Sequence, residues 1–306
     1  MLDGIISGDS GSYMSSSAKG GNDLITIDNM IAGSVYGDTQ QMIATATGGN
    51  DTIQIGNLIG TTAKTVDGNS GEDLFIYANA AGHHITLDEA GNVTINSLDG
   101  QHNINQETNT TIRDFEGIGG GSGNDVLVSG DRGTMLVGGQ GDDQITANSL
   151  TNGYATVDIS GNLTGNSMGG DDQITIGSVR DSSVYGDASG LHDSAVGGND
   201  NIAVNSLNGG YLSGDAGDYM QDNAQGGNDE LTISNMIKGY AGGDSNIRGG
   251  SAQGGDDIIS IACQVGGYGG GDGGGYLQDN AVGGNDTLLV DNLSGGFVAG
   301  DSGYRM

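Results

Sequence analysis

The sequence of 306 residues contains no proline, no tryptophan, one cysteine and only 8 lysines and arginines. A single cysteine excludes a disulfide framework, and we interpret Cys263 as a small buried residue within a repeat. The 39 acidic residues give a net charge of −31. This charge argues against nucleic acid and anionic membranes as partners, because phosphate groups would be repelled. No segment is apolar enough for membrane insertion, and the N-terminus lacks the basic and apolar regions of a signal peptide.

Glycine is abundant instead, with 63 residues and without the Gly-X-Y period of collagen. From Ala195 to Met306 one phrase recurs every 28 or 29 residues: Gly-Gly-Asn-Asp or Gly-Gly-Asp-Asp, an apolar alternation, a second Gly-Asp pair and a loop. A period this regular is typical of a solenoid rather than of one globular core. We name the two aspartate positions the first column (here Asp200, Asp229, Asp257 and Asp286) and the second column (here Asp215, Asp244, Asp272 and Asp301).

The spacing inside a repeat predicts a strand with one buried face. Apolar side chains stand two and four residues after each first-column aspartate, a period-two alternation; the pairs are Ile202/Val204, Leu231/Ile233, Ile259/Ile261 and Leu288/Val290. Six positions after that aspartate, we expect inward-turned residues that stack, namely Ser206, Asn235, Cys263 and Asn292. Four positions before the second-column aspartate, we expect a stacked aromatic column of Tyr211, Tyr240, Tyr268 and Phe297.

The repeats predict an all-β fold, a parallel β-roll or β-solenoid of about ten coils that is continuous along the chain. We divide it into solenoid repeats at 1–73, an irregular β insertion at 74–118 and further repeats at 119–306. The period breaks near residues 74–115, which also contain His83, His84 and His102. Adjacent histidines on a strand point to opposite faces, so surface or turn positions are favoured over a zinc site there.

Two nonapeptides, Gly120–Val128 and Gly138–Thr146, fit Gly-Gly-x-Gly-x-Asp-x-U-x, where U is a large apolar residue, and lie 18 residues apart. In this motif the chain resembles the RTX (repeats-in-toxin, haemolysin-type) family of secreted bacterial proteins, which form calcium-binding parallel β-rolls. The longer repeats are a looser relative, because they keep Gly-Gly-Asn-Asp but add a longer loop. The resemblance implies export by type I secretion, and Ca²⁺ ligation through turn carbonyls and aspartates at Gly121, Gly123, Asp125, Gly139, Gly141 and Asp143.

Stacked coils place like aspartates side by side, and two unit charges about 5 Å apart repel by about 3 kcal/mol at an effective dielectric constant of about 20. Basic residues are too few to neutralise the columns, whereas Ca²⁺ takes carboxylate and carbonyl oxygens as ligands. Glycine supplies the left-handed backbone that such turns need. We therefore expect multiple Ca²⁺ ions, with folding coupled to their binding. The candidate ligands of the long repeats are Asp23, Asp51, Asp172, Asp200, Asp229, Asp257 and Asp286 in the first column, and Asp38, Asp187, Asp215, Asp244, Asp272 and Asp301 in the second.

An alternative role for these aspartates is capping of turns through backbone hydrogen bonds, and the sequence leaves open which column binds metal. No catalytic site is recognisable. Gly8-Asp9-Ser10-Gly11 and Gly300-Asp301-Ser302-Gly303 match the phrase around a trypsin-like serine nucleophile, but both occupy the same place in a repeat. No histidine and aspartate partners are arranged around them, and the glycine-rich loops have acidic neighbours that do not suit phosphate. We expect that the protein is not an enzyme.

Two functions of different classes fit this pattern. The favoured one is an extracellular or cell-surface structural protein of a bacterium, a Ca²⁺-stiffened rod that assembles end to end into a filament or tiles into a surface layer. The sequence begins and stops within a repeat and in phase, which would let copies of the chain stack. The second is a calcium-dependent repeat module of a secreted adhesin or other RTX protein. Expected partners are further copies of the chain and cell-surface or matrix components.

Overall fold

The computed structural model describes residues 1–43, 45–273 and 275–301. Residues 302–306 lie outside the described residues, and they include Ser302 and Gly303 of the second serine-protease-like phrase. The chain divides into two compact units, Met1–Gly139 and Gln140–Met306. Each is built of stacked parallel coils, and helix makes up 1% of the structure. The predicted all-β solenoid of about ten coils is confirmed.

In the first unit the structure describes twelve strands and one four-residue helix, α1 (Ile104–Glu107). The strands are β1 (Ile5–Ser7), β2 (Leu24–Met30), β3 (Gly33–Tyr36), β4 (Thr52–Leu58), β5 (Lys64–Asp67), β6 (Leu74–Tyr77), β7 (His83–Leu87), β8 (Val93–Ser97), β9 (Thr110–Arg113), β10 (Gly117–Gly119), β11 (Val126–Ser129) and β12 (Met135–Val137). Within the described residues of the chain, no helix is long and apolar enough to cross a membrane.

Three sets of strands form the coils of the first unit. Their orders are β1-β3-β5-β9, β2-β4-β6-β10-β12 and β11-β7-β8. All of these pairs except β7 with β8 are parallel, and their register places Ile25, Ile53 and Phe75 side by side on a buried face. The period-two apolar pattern thus buries one row of side chains per coil, as expected for a strand with one covered face.

The irregular segment covers fewer residues than the predicted insertion at 74–118. Strand β6 still pairs in parallel with β4, through Thr52 and Leu74, and β9 pairs in parallel with β5. The departure from the solenoid is the antiparallel pairing of β7 with β8, which α1 follows. His83 is buried, and its ring centroid lies 4.8 Å from that of Tyr77 in an edge-to-face contact. His102 is exposed and contacts Glu107. The expectation of surface or turn positions is therefore wrong for His83, which lies buried in β7.

In the second unit the structure describes sixteen strands. They are β13 (Gln144–Thr151), β14 (Tyr154–Thr156), β15 (Ile159–Leu163), β16 (Gln173–Arg180), β17 (Ser183–Tyr185), β18 (Ala188–Leu191), β19 (Asn201–Asn208), β20 (Tyr211–Ser213), β21 (Ala216–Met220), β22 (Glu230–Ile237), β23 (Tyr240–Gly242), β24 (Ser245–Arg248), β25 (Ile258–Val265), β26 (Tyr268–Gly270), β27 (Thr287–Ser294) and β28 (Phe297–Ala299).

Each complete coil of this unit has a long, a short and a third strand. The long strands stack as β27-β25-β22-β19-β16-β13, the short ones as β14-β17-β20-β23-β26-β28 and the third ones as β15-β18-β21-β24. Between the long and short strands, Gly209 and Gly210 both have positive φ, of 71° and 75°, a conformation that glycine adopts without a steric penalty. The first-column aspartate precedes the long strand, and the second-column aspartate follows the short one.

The long strand buries three side chains where the sequence predicts two. In β19 these are Ile202, Val204 and Leu207, because the pairing ladder skips the residue after Val204 and the alternation changes phase. The prediction of inward-turned residues six positions after the aspartate is wrong. Asn235 and Asn292 are exposed, while Ser206 and Cys263 are half-buried. These residues do stand in register from coil to coil, and Cys263 is not the buried residue that we expected.

The aromatic column is confirmed. Tyr211, Tyr240, Tyr268 and Phe297 stand in register on the short strands. The Tyr211 and Tyr240 ring centroids are 5.2 Å apart, and those of Tyr240 and Tyr268 are 5.6 Å apart with nearly parallel rings. Such contacts add to the cross-strand stabilisation of parallel coils.

Candidate metal centre

The first-column aspartates link each coil to the next through one carboxylate oxygen. The backbone N–H of Asp172 donates to Oδ1 of Asp200 at 2.8 Å, that of Asp200 to Oδ1 of Asp229 at 2.7 Å, and that of Asp229 to Oδ1 of Asp257 at 2.8 Å. The ladder continues to Asp286 and begins at Asp143. A carboxylate that accepts a backbone N–H is held in one orientation, which fixes the direction of its other oxygen.

Each second-column aspartate hydrogen-bonds to the glycine-rich turn that follows it along the chain. Oδ1 of Asp187 accepts the N–H of Gly198 at 3.1 Å, Oδ1 of Asp215 accepts that of Gly227 at 2.9 Å, and Asp244 repeats the contact with Gly255. The two columns therefore face each other across one side of the coil. The alternative of turn capping is correct for one oxygen of these carboxylates.

In most of these described aspartates the other carboxylate oxygen has no hydrogen-bond partner. Among the described residues, Oδ2 is buried and has no hydrogen-bond partner in Asp23, Asp51, Asp73, Asp172, Asp200, Asp215, Asp229, Asp257, Asp272 and Asp286. Asp200, Asp215 and Asp229 are at most 2% exposed. A buried ionised oxygen without a partner is strongly unfavourable, so each of these oxygens requires either a proton or a nearby cation.

Glycines provide the space in front of these oxygens. A β-carbon at Gly186 would overlap Oδ2 of Asp200, and one at Gly214 would overlap Oδ2 of Asp229. Each such glycine directly precedes a second-column aspartate, so the oxygen of one column points into the glycine turn of the other. A side chain larger than hydrogen would fill the cradle that the carboxylates line.

Among the residues that the structure describes, two groups bring three carboxylates together closely enough for a single ion. In Asp158, Asp172 and Asp187, one oxygen from each residue lies within 4.8 Å of the others, and all three residues are buried. Asp272, Asp286 and Asp301 form the same arrangement with partial exposure. Each group combines one first-column aspartate with second-column aspartates of two successive coils. Because Ca²⁺–oxygen distances are about 2.3–2.6 Å, oxygens up to about 5 Å apart can share one ion.

Burial raises the pKa values of these carboxyl groups, and the neighbouring aspartates raise them further. The pKa of Asp172 rises to about 9 because of burial first and then the charges of Asp143 and Asp187. Asp257 is raised to about 8. In Asp200, Asp215 and Asp229 the pKa is raised well above its ordinary value, again chiefly by burial. Without a cation, Asp172 and Asp257 would be protonated near neutral pH.

The first unit contains the same contacts in fewer coils. Asp23, Asp51 and Asp73 form the N–H to Oδ1 ladder at 2.8 and 2.7 Å. Oδ1 of Asp38 accepts the N–H of Gly49 at 2.8 Å. In the next coil Asn69 takes the second-column place, and its Oδ1 accepts the N–H groups of Asp38 and Thr39.

The nonapeptide residues of the first unit have a different arrangement. Both oxygens of Asp125 accept backbone N–H groups, from His83 at 2.6 Å and from Gly121 at 2.8 Å. The carboxylate thus closes its own turn. A β-carbon at Gly121 or Gly123 would overlap the backbone of residues 79–82. Gly139 and, in the second unit, Gly141 have positive φ of 115° and 125°.

The two glycines of each Gly-Gly-Asn-Asp turn serve a purpose other than the one predicted. Gly197 and Gly198 do not have the left-handed backbone that we expected. Instead, a β-carbon at Gly198 would overlap the carbonyl oxygen of Gly170 in the coil before, and one at Gly197 would overlap Oδ1 of Asp215. These turns need glycine because successive coils touch there backbone to backbone.

Sequence reasoning missed three residues of the columns. Asp73 follows Gly-Glu rather than Gly-Asn, but the Leu74 strand after it carries the usual signal. Asp158 stands four residues after Tyr154, the same spacing as Tyr211 and Asp215, and that spacing would have identified it. Asp9 accepts the N–H of Gly21 at 3.0 Å in the manner of the second column.

No protein-family model, curated protein or solved structure matches the chain. The resemblance to the RTX family therefore depends on the nonapeptide residues and the repeated aspartates alone.

Proposed function

We propose that the protein is a calcium-binding structural β-solenoid in which Ca²⁺ ions between the two aspartate columns tie successive coils together. The observation that carries this proposal is the row of buried Oδ2 atoms without hydrogen-bond partners among the described residues, in Asp172, Asp200, Asp215 and Asp229. Glycine lets these atoms approach the turn of the opposite column closely, because a β-carbon at Gly186 or Gly214 would overlap them. Carboxylate oxygens in a flexible arrangement suit Ca²⁺ better than the smaller Mg²⁺, which demands near-ideal octahedral geometry.

The charge balance supports one divalent ion per coil. Each coil of the long repeats adds one first-column and one second-column aspartate, hence two negative charges. One Ca²⁺ neutralises both. The residues hold the ion in defined roles: the first-column Oδ2 faces the turn, and second-column carboxylates from two coils flank it, as in Asp158, Asp172 and Asp187. When bound, the ion supplies the positive charge that the columns lack.

The experiment is circular dichroism of the chain in chelator and in millimolar Ca²⁺. Folding coupled to metal binding predicts that the β signal and the unfolding midpoint fall in chelator. Both are expected to recover with Ca²⁺, but not with Na⁺ at an equal concentration of positive charge. An unchanged spectrum and an unchanged unfolding midpoint in chelator would refute the proposal.

We extend the proposal to an extracellular protein that assembles coil upon coil with further copies of itself. Extracellular modules bind Ca²⁺ with dissociation constants of about 10⁻⁴–10⁻³ M. Such values suit sites with a structural role. In the described structure β27 and β28 are edge strands, and Leu293 is 52% exposed although Leu207 and Met236 in its column are fully buried. Leu289 and Phe297 are also exposed, by 56% and 72%. An additional parallel coil is the partner that would cover this edge.

Negative-stain microscopy in Ca²⁺ tests the assembly. Long filaments or sheets support self-association, and their loss in the variant Leu293→Lys, with Ile159→Lys on an exposed position of β15 as control, would locate the contact. Single short particles at all concentrations would instead support a calcium-dependent repeat module of a larger secreted protein.

A further inference from the structure

One arginine occupies a column that is otherwise apolar. The parallel register of the third strands places Leu163, Leu191, Met220 and Arg248 side by side, and Leu277 follows Arg248. Leu191 and Met220 are fully buried among the alanines of the same core. Arg248 is also buried, with 2% of its side chain exposed. A charged residue at such a position is costly unless it is paired.

The partners of Arg248 are second-column aspartates of two successive coils. Its Nη1 lies 2.6 Å from Oδ2 of Asp244 and 2.6 Å from Oδ1 of Asp272, and both carboxylates are fully buried. These aspartates precede and follow first-column Asp257 along the sequence, as Asp158 and Asp187 precede and follow Asp172. One guanidinium nitrogen thus stands at the place where the carboxylates of adjacent coils converge.

The aspartate groups of the other described coils have no such arginine between them. Among the ion pairs of the described residues, no other lysine or arginine bridges two aspartates of the columns. Asp158, Asp172 and Asp187 converge without a basic side chain, and so do Asp272, Asp286 and Asp301 apart from the Arg248 contact to Asp272. The guanidinium is therefore a feature of one coil, reached from a position where the neighbouring coils have leucine or methionine.

We propose that Arg248 is the built-in cation of the coil that contains Asp244 and Asp257, and that this coil excludes Ca²⁺. The inference rests on the proposed function, since it assigns which coils of that array take metal. Nη1 and a Ca²⁺ ion would need the same two carboxylate oxygens, and they cannot both bind them. A guanidinium is not removed by a chelator and stays charged at all working pH values. This coil consequently keeps its inter-coil contact without metal, and Ca²⁺ loads the coils on either side of it.

The test counts Ca²⁺ ions per chain by equilibrium dialysis and elemental analysis, with native mass spectrometry as a second count. Arg248→Met restores the apolar column and frees both carboxylates. It is expected to bind one more Ca²⁺ than the wild-type chain. Arg180→Met removes an exposed arginine of β16 as a matched control and is expected to leave the count unchanged. An unchanged count in a folded Arg248→Met chain would overturn the proposal.

A second measurement covers the case in which Arg248→Met does not fold. In crystals of the wild-type chain grown in Ca²⁺, anomalous density is expected among Asp158, Asp172 and Asp187 and is not expected between Asp244 and Asp272. A Ca²⁺ peak bonded to both Asp244 and Asp272 would contradict the role of Arg248 while leaving the proposed function intact. A wild-type chain that binds no Ca²⁺ at all would remove the proposed function itself.

Discussion

The backbone N–H of Asp200 donates a 2.7 Å hydrogen bond to Oδ1 of Asp229 in the next coil, while Oδ2 of Asp229 remains buried without a partner among the described residues. This one carboxylate combines the two roles that the sequence left open. One oxygen holds the turn, and the other points towards the opposite column. The predictions below separate those roles.

Asp229→Asn is expected to change the stability of the folded chain in opposite directions with and without Ca²⁺. The amide oxygen can still accept the Asp200 N–H, but the negative charge is gone. In chelator near pH 8 the variant should be more stable than wild type by about 1–3 kcal/mol, because a neutral amide can be buried without taking up a proton or carrying a charge. In millimolar Ca²⁺ it should be less stable by a similar amount and bind one ion fewer. Urea unfolding in both conditions measures this.

The control for that variant is Asp218→Asn, which changes an exposed aspartate of β21. It is expected to change stability by less than about 0.5 kcal/mol in either condition. If Asp229→Asn destabilised the chain equally in chelator and in Ca²⁺, its carboxylate would have only a hydrogen-bonding role.

Metal-free protein is expected to become more stable as the pH falls. The folded-state pKa of Asp172 is about 9 and that of Asp257 about 8, against an ordinary value of 3.8. Since the folded state binds these protons more tightly, their contribution to stability is complete below about pH 4 and is lost as the pH rises towards 8–9. Urea unfolding of the chelator-dialysed chain at pH 5 and pH 8 measures the difference.

In saturating Ca²⁺ this pH dependence should reverse, because protons and metal compete for the same oxygens. Ca²⁺ affinity is therefore expected to fall between pH 8 and pH 5. A metal-free chain that is more stable at pH 8 than at pH 5 would show that the carboxyl groups are not buried as described.

Gly198→Ala is expected to destabilise the second unit by about 1–3 kcal/mol or more, the usual range for an overpacked site. Its β-carbon would overlap the carbonyl oxygen of Gly170. Gly161→Ala is the matched control, because no heavy atom lies within 4 Å of the added β-carbon. Equal unfolding midpoints for the two variants would mean that the coils are spaced more widely at this turn.

Leu207→Ala tests the third buried position of the long strand. Leu207 is fully buried, so removal of its side chain should cost about 2–5 kcal/mol. Ser206→Ala, at the half-buried position beside it, should change stability by less than about 1 kcal/mol. Thermal unfolding in Ca²⁺ compares them, and similar small losses for both would contradict the observed phase of β19.

The parts of the fold that depend on strict repetition could be predicted from the sequence. The period-two pairs such as Ile202/Val204 and the aromatic column through Tyr240 follow from local spacing alone. Leu207 could not be found in that way, because the strand alternation changes phase before it. The pairing of β7 with β8 in the irregular segment depends on contacts that no repeat encodes.

The positions of the aspartates in the candidate site could be predicted from the sequence, but their hydrogen bonds and the contact with Arg248 could not. Their positions follow from the period, and even Asp158 follows from its distance to Tyr154. That one oxygen of each carboxylate is taken by a backbone N–H, as in Asp229, depends on the stacking of turns. Arg248 gave no signal, because a single basic residue in a loop resembles a solvated one until the register places it beside Met220.

The most direct test of the account is the crystal structure of the chain grown in millimolar Ca²⁺, with anomalous data. The account predicts a Ca²⁺ ion about 2.3–2.6 Å from Oδ2 of Asp172, with Asp158 and Asp187 as further ligands. A map with well-ordered glycine turns and no ion beside Asp172, Asp200 or Asp229 would contradict it.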